Sequence, residues 1–258
     1  MSAGGHASKP VARAVGTVPA AGALVGLTAG VLSTAQTYES VQTGRGAAAV
    51  DAPVQAWMVA HRMPWLDTWA TWFTNLGGKV GMTILATLAV LALARWWRTW
   101  TPVVVMVWAT AGSLTMTTLG KQLTARARPP AAQAVPPWET SPSFPSGHTL
   151  NTVVVTGVLA YLVLLYVRSR RGRVLTCLGL AGFAGLIGLS RVYLGHHWLT
   201  DVLAGAAVGG AWALAVVLGH WAYVRLRTKD RAPTVREVAH RHLDQRSSRV
   251  SGRHTSSL

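Results

Sequence analysis

Two histidines and an aspartate in this 258-residue sequence have the types and spacing of a reaction centre. His197 and Asp201 are four residues apart, one helical turn, so the carboxylate can accept the proton on one imidazole nitrogen. That contact fixes the tautomer and leaves the other nitrogen as a nucleophile. His148, in Pro145-Ser146-Gly147-His148, is placed to protonate a leaving oxygen and then to take a proton from an attacking water. Lys121, Arg128 and Arg191 supply three cations with no acidic neighbour besides Asp201. Arginine offers forked donors that match phosphate oxygens, and lysine adds a point charge. Ser146 and Gly147 precede an apolar helix, where free N–H groups and the helix dipole favour an anion, and Gly147 lets the backbone come close to it. The expected ligand is a phosphate group, and the expected chemistry is phosphoryl transfer by positioning and charge neutralisation. No Cys/His or carboxylate set has metal-ligand spacing, so neither a metal nor another cofactor is expected.

The elements that must hold these residues are apolar. Net charge is +16, yet 12% of the chain is charged and 50% is hydrophobic, with eight acidic residues and twelve tryptophans. This composition excludes a disordered chain and points away from a soluble nucleic-acid binder, toward a membrane protein. Cys177 is the single cysteine, which excludes a disulfide-built module. Six stretches approach the about 20 residues that cross a bilayer. They run from Val15 to Ala35, Val80 to Trp97, Pro102 to Gly120, Thr149 to Val167, Val174 to Leu189 and Val202 to Val224. Counting helices alone puts all the chemical residues on one side of the membrane. With a cytoplasmic N-terminus, 17 basic residues fall inside and seven outside, so positive charge favours cytoplasmic termini and an exterior site.

Three segments carry further expectations. Gly22, Gly26 and Gly30 repeat every four residues, as in closely packed membrane helices, although Ser33-Thr34-Ala35 also resembles a signal-peptide cleavage site. Between Asp51 and Gly78, Trp65, Trp69 and Trp72 fall on one helical face, which predicts a helix on the outer membrane surface, either guiding a lipid or only anchoring. Residues 1–14 and the basic stretch 225–258 read as disordered cytoplasmic ends around a membrane domain at 15–224. The tail is also suited to docking on anionic lipid headgroups.

Lys121-x6-Arg128-Pro129, Pro145-Ser146-Gly147-His148 and Ser190-Arg191-x5-His197-x3-Asp201 resemble the three-part signature of the type 2 phosphatidic acid phosphatases. The resemblance covers roughly residues 50–224. It implies an all-α integral membrane bundle of six transmembrane helices, with the interfacial helix between the first and second. It also implies a metal-independent lipid phosphatase in which His197 forms a phosphohistidine, Asp201 orients it and His148 is the acid/base. Lys121, Arg128, Ser146, Gly147 and Arg191 match the phosphate ligands. His196 reads as structural, Arg126 as a headgroup contact, His61 and His220 as interfacial, and Ser190 as an orienting neighbour of Arg191. Composition suggests a high-GC bacterium, in whose cell membrane the narrower expectation is an undecaprenyl or other polyprenyl diphosphate phosphatase. Phosphatidic acid or phosphatidylglycerol phosphate phosphatase is the alternative. A vanadate-dependent haloperoxidase and a transporter are remoter readings, and no nucleic-acid partner is expected.

Overall fold

A computed structural model describes residues 20–229; the expected disordered N-terminus and residues 230–258 of the tail lie outside these bounds. Among the described residues there are eight α-helices and no strand. They are α1 (Ala20–Thr43), α2 (Asp51–Ala60), α3 (Pro64–Leu76), α4 (Lys79–Trp97), α5 (Thr101–Thr124), α6 (Gly147–Leu164), α7 (Arg170–Tyr193) and α8 (Leu199–Lys229). Five of them, α4 to α8, are long and apolar enough to cross a membrane. α1 has the length, at 24 residues, but Ser33, Thr34, Gln36, Thr37, Glu39 and Ser40 make it less apolar than the other five. It also extends eight residues beyond the expected Ala35. α8 continues to Lys229, so Arg225 to Lys229, expected in the tail, are helical.

The core lies between α4, α5, α6 and α8. Met82, Ala86, Val90, Leu93 and Trp97 recur every three or four residues along α4 and form its buried face. The opposite faces are also apolar: Val80 on α4 is 74% exposed, Val107 on α5 59% and Leu178 on α7 64%. A surface apolar all round the bundle is what hydrocarbon solvates.

Such helices gain little from hiding apolar surface, since lipid is equally apolar; they associate through close packing and polar links. The glycine repeat of α1 serves this purpose. A Cβ on Gly30 would lie 3.0 Å from Ala211 Cβ and 3.1 Å from Ala207 O, and one on Gly26 would lie 2.8 Å from Leu214 Cδ1, so α1 is seated directly on α8. Polar links join the core helices too: Ser113 to Asn151 between α5 and α6, and Trp212 Nε1 to Ala109 O (2.8 Å) between α8 and α5.

The tryptophan-rich segment differs from expectation, because it is two helices rather than one. Pro64 starts α3, and Met63 before it is extended (φ −134°, ψ 135°), the conformation a proline imposes on its predecessor. Trp65, Trp69 and Trp72 do share the exposed face of α3, while Ala70 and Thr74 pack inward. The α3–α4 turn then covers the start of α6, where a Cβ on Gly78 would lie 3.4 Å from His148 Nε2.

Candidate active site

The C-terminal ends of α5 and α7 and the N-terminal ends of α6 and α8 meet at one end of the bundle, and this places the three sequence clusters together. Lys121 sits in the last turn of α5. The helix stops at Thr124 because Ala125 turns left-handed (φ 44°), with its N–H on Lys121 O. Arg128 is therefore not on the helical face of Lys121, as a continued helix would have it. The two cations meet instead on the loop before α6. Lys121 Nζ donates to Ser141 Oγ (3.0 Å) and Pro142 O, while Arg128 donates to Ser141 O (Nε, 2.7 Å) and Ser141 Oγ (Nη2, 3.1 Å).

Arg128 Nη1 lies 2.5 Å from His196 O and 3.2 Å from His197 Nε2. Arg191 comes from the last turn of α7 and is 2% exposed, with Nη1 3.3 Å from Thr74 Oγ1 and Nε without a hydrogen-bond partner. One carboxylate bridges these two arginines: Glu139 accepts from Arg191 Nη2 through Oε1 and stands 3.5 Å from Arg128 Nη2 through Oε2. Burial alone would raise the Glu139 carboxyl, but Arg191 and then Arg128 outweigh it and hold the group down at about 2. His148 and His197 act on it in the same direction. The arginines thus already grip an anion beside His197 Nε2.

His197 precedes α8, in the turn that Gly195 makes with φ +73°. There a side chain would strike Gln133 O at 2.6 Å, so both backbone and space require glycine. His197 is 1% exposed, and Nδ1 is 3.4 Å from Asp201 Oδ2, beyond a normal N–H···O hydrogen bond. Ser143 Oγ stands beside both groups, donating to Asp201 Oδ2 at 2.5 Å and lying 3.4 Å from His197 Nδ1. Trp198 N–H also donates to Asp201 Oδ2 (2.9 Å). Burial first, then Arg191, Arg128 and Lys121, keep the His197 imidazole well below the ordinary histidine value. The surroundings thus favour the neutral imidazole, with Nε2 facing Arg128 Nη1.

Ser146 caps α6 in extended conformation; its Oγ accepts from Thr149 Oγ1 (3.1 Å) rather than from a backbone N–H, and its N–H donates to Asp201 O (3.0 Å). The first turn of α6, with Gly147 and His148, opens toward the same end. His196 is buried and held by Val135 O at 2.7 Å, and burial followed by Arg191 lowers it to about 4. Ser190 Oγ donates to Ile187 O of its own helix (2.7 Å). His61 stacks on Trp57, and His220 Nδ1 meets Tyr161 Oη at 2.7 Å.

Sequence reasoning missed four residues here. Glu139 corrects the expectation that Asp201 is the one acidic neighbour of Lys121, Arg128 and Arg191, and Asp51 joins the site through Arg126. Arg126, expected at lipid headgroups, is instead bound to Asp201 Oδ1 (2.5 Å) and Asp51 Oδ2 (2.7 Å). Ser143 joins His197 and Asp201 as described. With eight acidic residues in the chain, scarcity itself was the available signal for Asp51 and Glu139. Among the described residues, no group of three or more His, Cys, Asp or Glu side chains is arranged to hold a metal ion.

Residues 102–225 match the PAP2 superfamily. Phosphatidylglycerophosphatase B of Bacillus subtilis (strain 168) is 33% identical over 162 residues, which cover 62% of this chain and 77% of that protein. Lipid phosphate phosphatase delta of Arabidopsis thaliana is 37% identical over 93 residues, 34% of this chain and 20% of that protein. The crystal structure of a transmembrane PAP2 type phosphatidylglycerolphosphate phosphatase from Bacillus subtilis superposes with a TM-score of 0.66 at 26% identity, covering 74% of this chain and 94% of that one.

Proposed function

This chain belongs to the PAP2 superfamily, and from that premise we propose that it is a membrane lipid phosphatase working through a phosphohistidine on His197. The observation that carries the proposal is the Glu139 carboxylate, gripped by Arg128 and Arg191 next to His197 Nε2. A phosphate has the same forked-acceptor geometry and more charge, so it takes that place when it displaces Glu139. Arg128, Arg191 and Lys121 then hold its oxygens, with Ser146 and Gly147 at the α6 N-terminus. His197 Nε2 attacks phosphorus and the ester P–O bond breaks, while His148 delivers a proton to the leaving oxygen. Neutral His148 next takes a proton from water, the water oxygen attacks phosphorus and the P–N bond breaks, releasing phosphate. Asp201 stabilises the imidazole through its Nδ1 side, a contact that tightens from 3.4 Å when substrate is bound. The cations of the site neutralise the transferring group, so the reaction proceeds without a metal ion.

α1 joins α4 to α8 as the sixth span of one membrane domain. Nine basic residues and no acidic one mark the end of the described bundle away from the site, which supports cytoplasmic placement of that end and an exterior site in the cell membrane. The exposed tryptophan face of α3 then lies at the outer headgroup level.

The relatives move the narrower reading of the substrate from polyprenyl diphosphate to phosphatidylglycerol phosphate, since the B. subtilis protein and crystal structure are both named for it. The deciding experiment assays the detergent-purified protein for phosphate release from phosphatidylglycerol phosphate, phosphatidic acid, a polyprenyl diphosphate and a water-soluble sugar phosphate, with and without EDTA. Release from phosphatidylglycerol phosphate with the highest kcat/KM, unaffected by EDTA, is expected. Preference for the sugar phosphate, or loss in EDTA restored by Mg²⁺, refutes the proposal.

A further inference from the structure

Arg126 is tied to the reaction centre without touching its phosphate-binding side. Its Nη1 donates to Asp201 Oδ1 (2.5 Å) and Thr200 Oγ1 (2.7 Å), and its Nη2 to Asp51 Oδ2 (2.7 Å). None of its hydrogen bonds goes to Lys121, Arg128, Arg191 or Glu139. Asp51, the first residue of α2, also accepts from Thr200 N (Oδ1, 2.9 Å) and Thr200 Oγ1 (Oδ2, 2.5 Å). The neighbour of Asp201 in the chain is therefore pinned to the same carboxylate that pins Arg126. Asp51 is 4% exposed and Thr200 and Asp201 are fully buried, while the Arg126 side chain is 15% exposed.

The geometry determines which oxygen of Asp201 faces His197. Arg126 takes Oδ1, so Oδ2 alone is left toward the imidazole, 3.4 Å from Nδ1, with Ser143 Oγ and Trp198 N–H fixing it from two other directions. We propose that Arg126, anchored on Asp51, is a positioning residue for the nucleophile, holding Asp201 by Oδ1 so that Oδ2 stands against His197 Nδ1. The inference rests on His197 being the nucleophile. It assigns a part in catalysis to α2, an element from outside the three sequence clusters. Arginine is required because one planar fork spans two carboxylates, which an ammonium group cannot do with the same geometry.

The test compares Arg126→Met, Arg126→Lys and Asp51→Asn with the wild type on phosphatidylglycerol phosphate, measuring kcat, KM and inhibition by vanadate, a phosphate mimic. Arg126→Met is expected to lower kcat on the order of 10²-fold, the cost of a misplaced catalytic group. KM and the vanadate inhibition constant should move less than about threefold, because no phosphate ligand is lost. Arg126→Lys should recover part of kcat. Asp51→Asn keeps the Arg126–Asp201 pair but removes its anchor, and is expected to lower kcat by about tenfold with vanadate inhibition unchanged. Should Arg126→Met not fold, Asp51→Asn and Arg126→Lys decide. Full kcat in Arg126→Met or in Asp51→Asn overturns the inference, and so does vanadate affinity falling in step with kcat. A wild type that releases no phosphate from any lipid refutes the phosphatase reading and the inference with it; an active wild type beside a fully active Arg126→Met refutes the inference alone.

Discussion

The two ends of the bundle spend their charges differently. At the site end, seven basic residues face five acidic ones, and several are locked in pairs: Arg126 between Asp51 and Asp201, Glu139 between Arg128 and Arg191. At the other end, the described residues include nine basic side chains and no acidic one, in the α4–α5 turn, the α6–α7 turn and the last turns of α8. Paired, buried charges are costly to assemble and keep a fixed geometry, which suits binding and catalysis. Unbalanced positive charge in short loops sets the direction of insertion and needs no geometry. A chain of net charge +16 thus carries two kinds of cation, and composition alone does not separate them.

The comparison breaks most decisively at its histidines. His197 precedes α8 and His220 lies well along it, about 30 Å away by the helical rise. His197→Ala is expected to cut kcat on the order of 10⁴-fold or more, as loss of a nucleophile does. His220→Ala removes a hydrogen bond to Tyr161 and leaves kcat within about twofold, because a residue remote from the chemistry acts on stability alone. Phosphate release from both purified variants checks this, and comparable losses would erase the functional difference between the ends.

A smaller effect sharpens the electrostatic side. The cations at the site lower His197, so removing one must raise it. In Arg128→Gln, the guanidinium 3.2 Å from Nε2 is gone, and protonation then silences the nucleophile at higher pH. The acid limb of kcat/KM is expected to move up in pH relative to wild type, on top of an about 10²-fold loss in rate from the missing phosphate ligand. The substrate's own ionisation is common to both profiles and cancels from the difference. An unmoved or downward-shifted limb would mean that Arg128 does not govern the imidazole.

How much of this was written in the sequence follows from the range of each interaction. The five spans α4 to α8 were legible, since apolar length is a local property, and so was the glycine seam of α1, which does pack on α8. The break before Pro64 was available in the proline itself. The end of α5 was not, because Ala125 carries no sign of its left-handed turn. At the site, every residue of the three clusters reaches one end of the bundle, because helix counting fixes the end. The pairings do not follow from counting. Asp51 meets Arg126 across 75 positions and Glu139 meets Arg191 across 52, contacts that only the packed bundle specifies. Asp201 shows the same limit in miniature: spacing puts it one turn from His197, but not Ser143 beside both groups.

The smallest effect on turnover is expected from the basic end, and it separates topology from chemistry. Changing Arg170, Arg171 and Arg173 to Gln removes three charges from the start of α7, far from the site, where Arg173 donates to Leu164 O and Val167 O. The purified protein should keep kcat within about twofold, as exposed substitutions do. Orientation in the membrane should respond, because short-loop charge directs insertion. Thr140→Cys, in the exposed loop beside Glu139 and in a Cys177→Ser background, reports it through labelling of intact cells by a membrane-impermeant maleimide. The labelled fraction is expected to fall in the triple variant while activity per purified molecule holds. If turnover fell and labelling did not, these arginines would belong to the working half of the molecule, and the division of charge between the two ends would have to be redrawn.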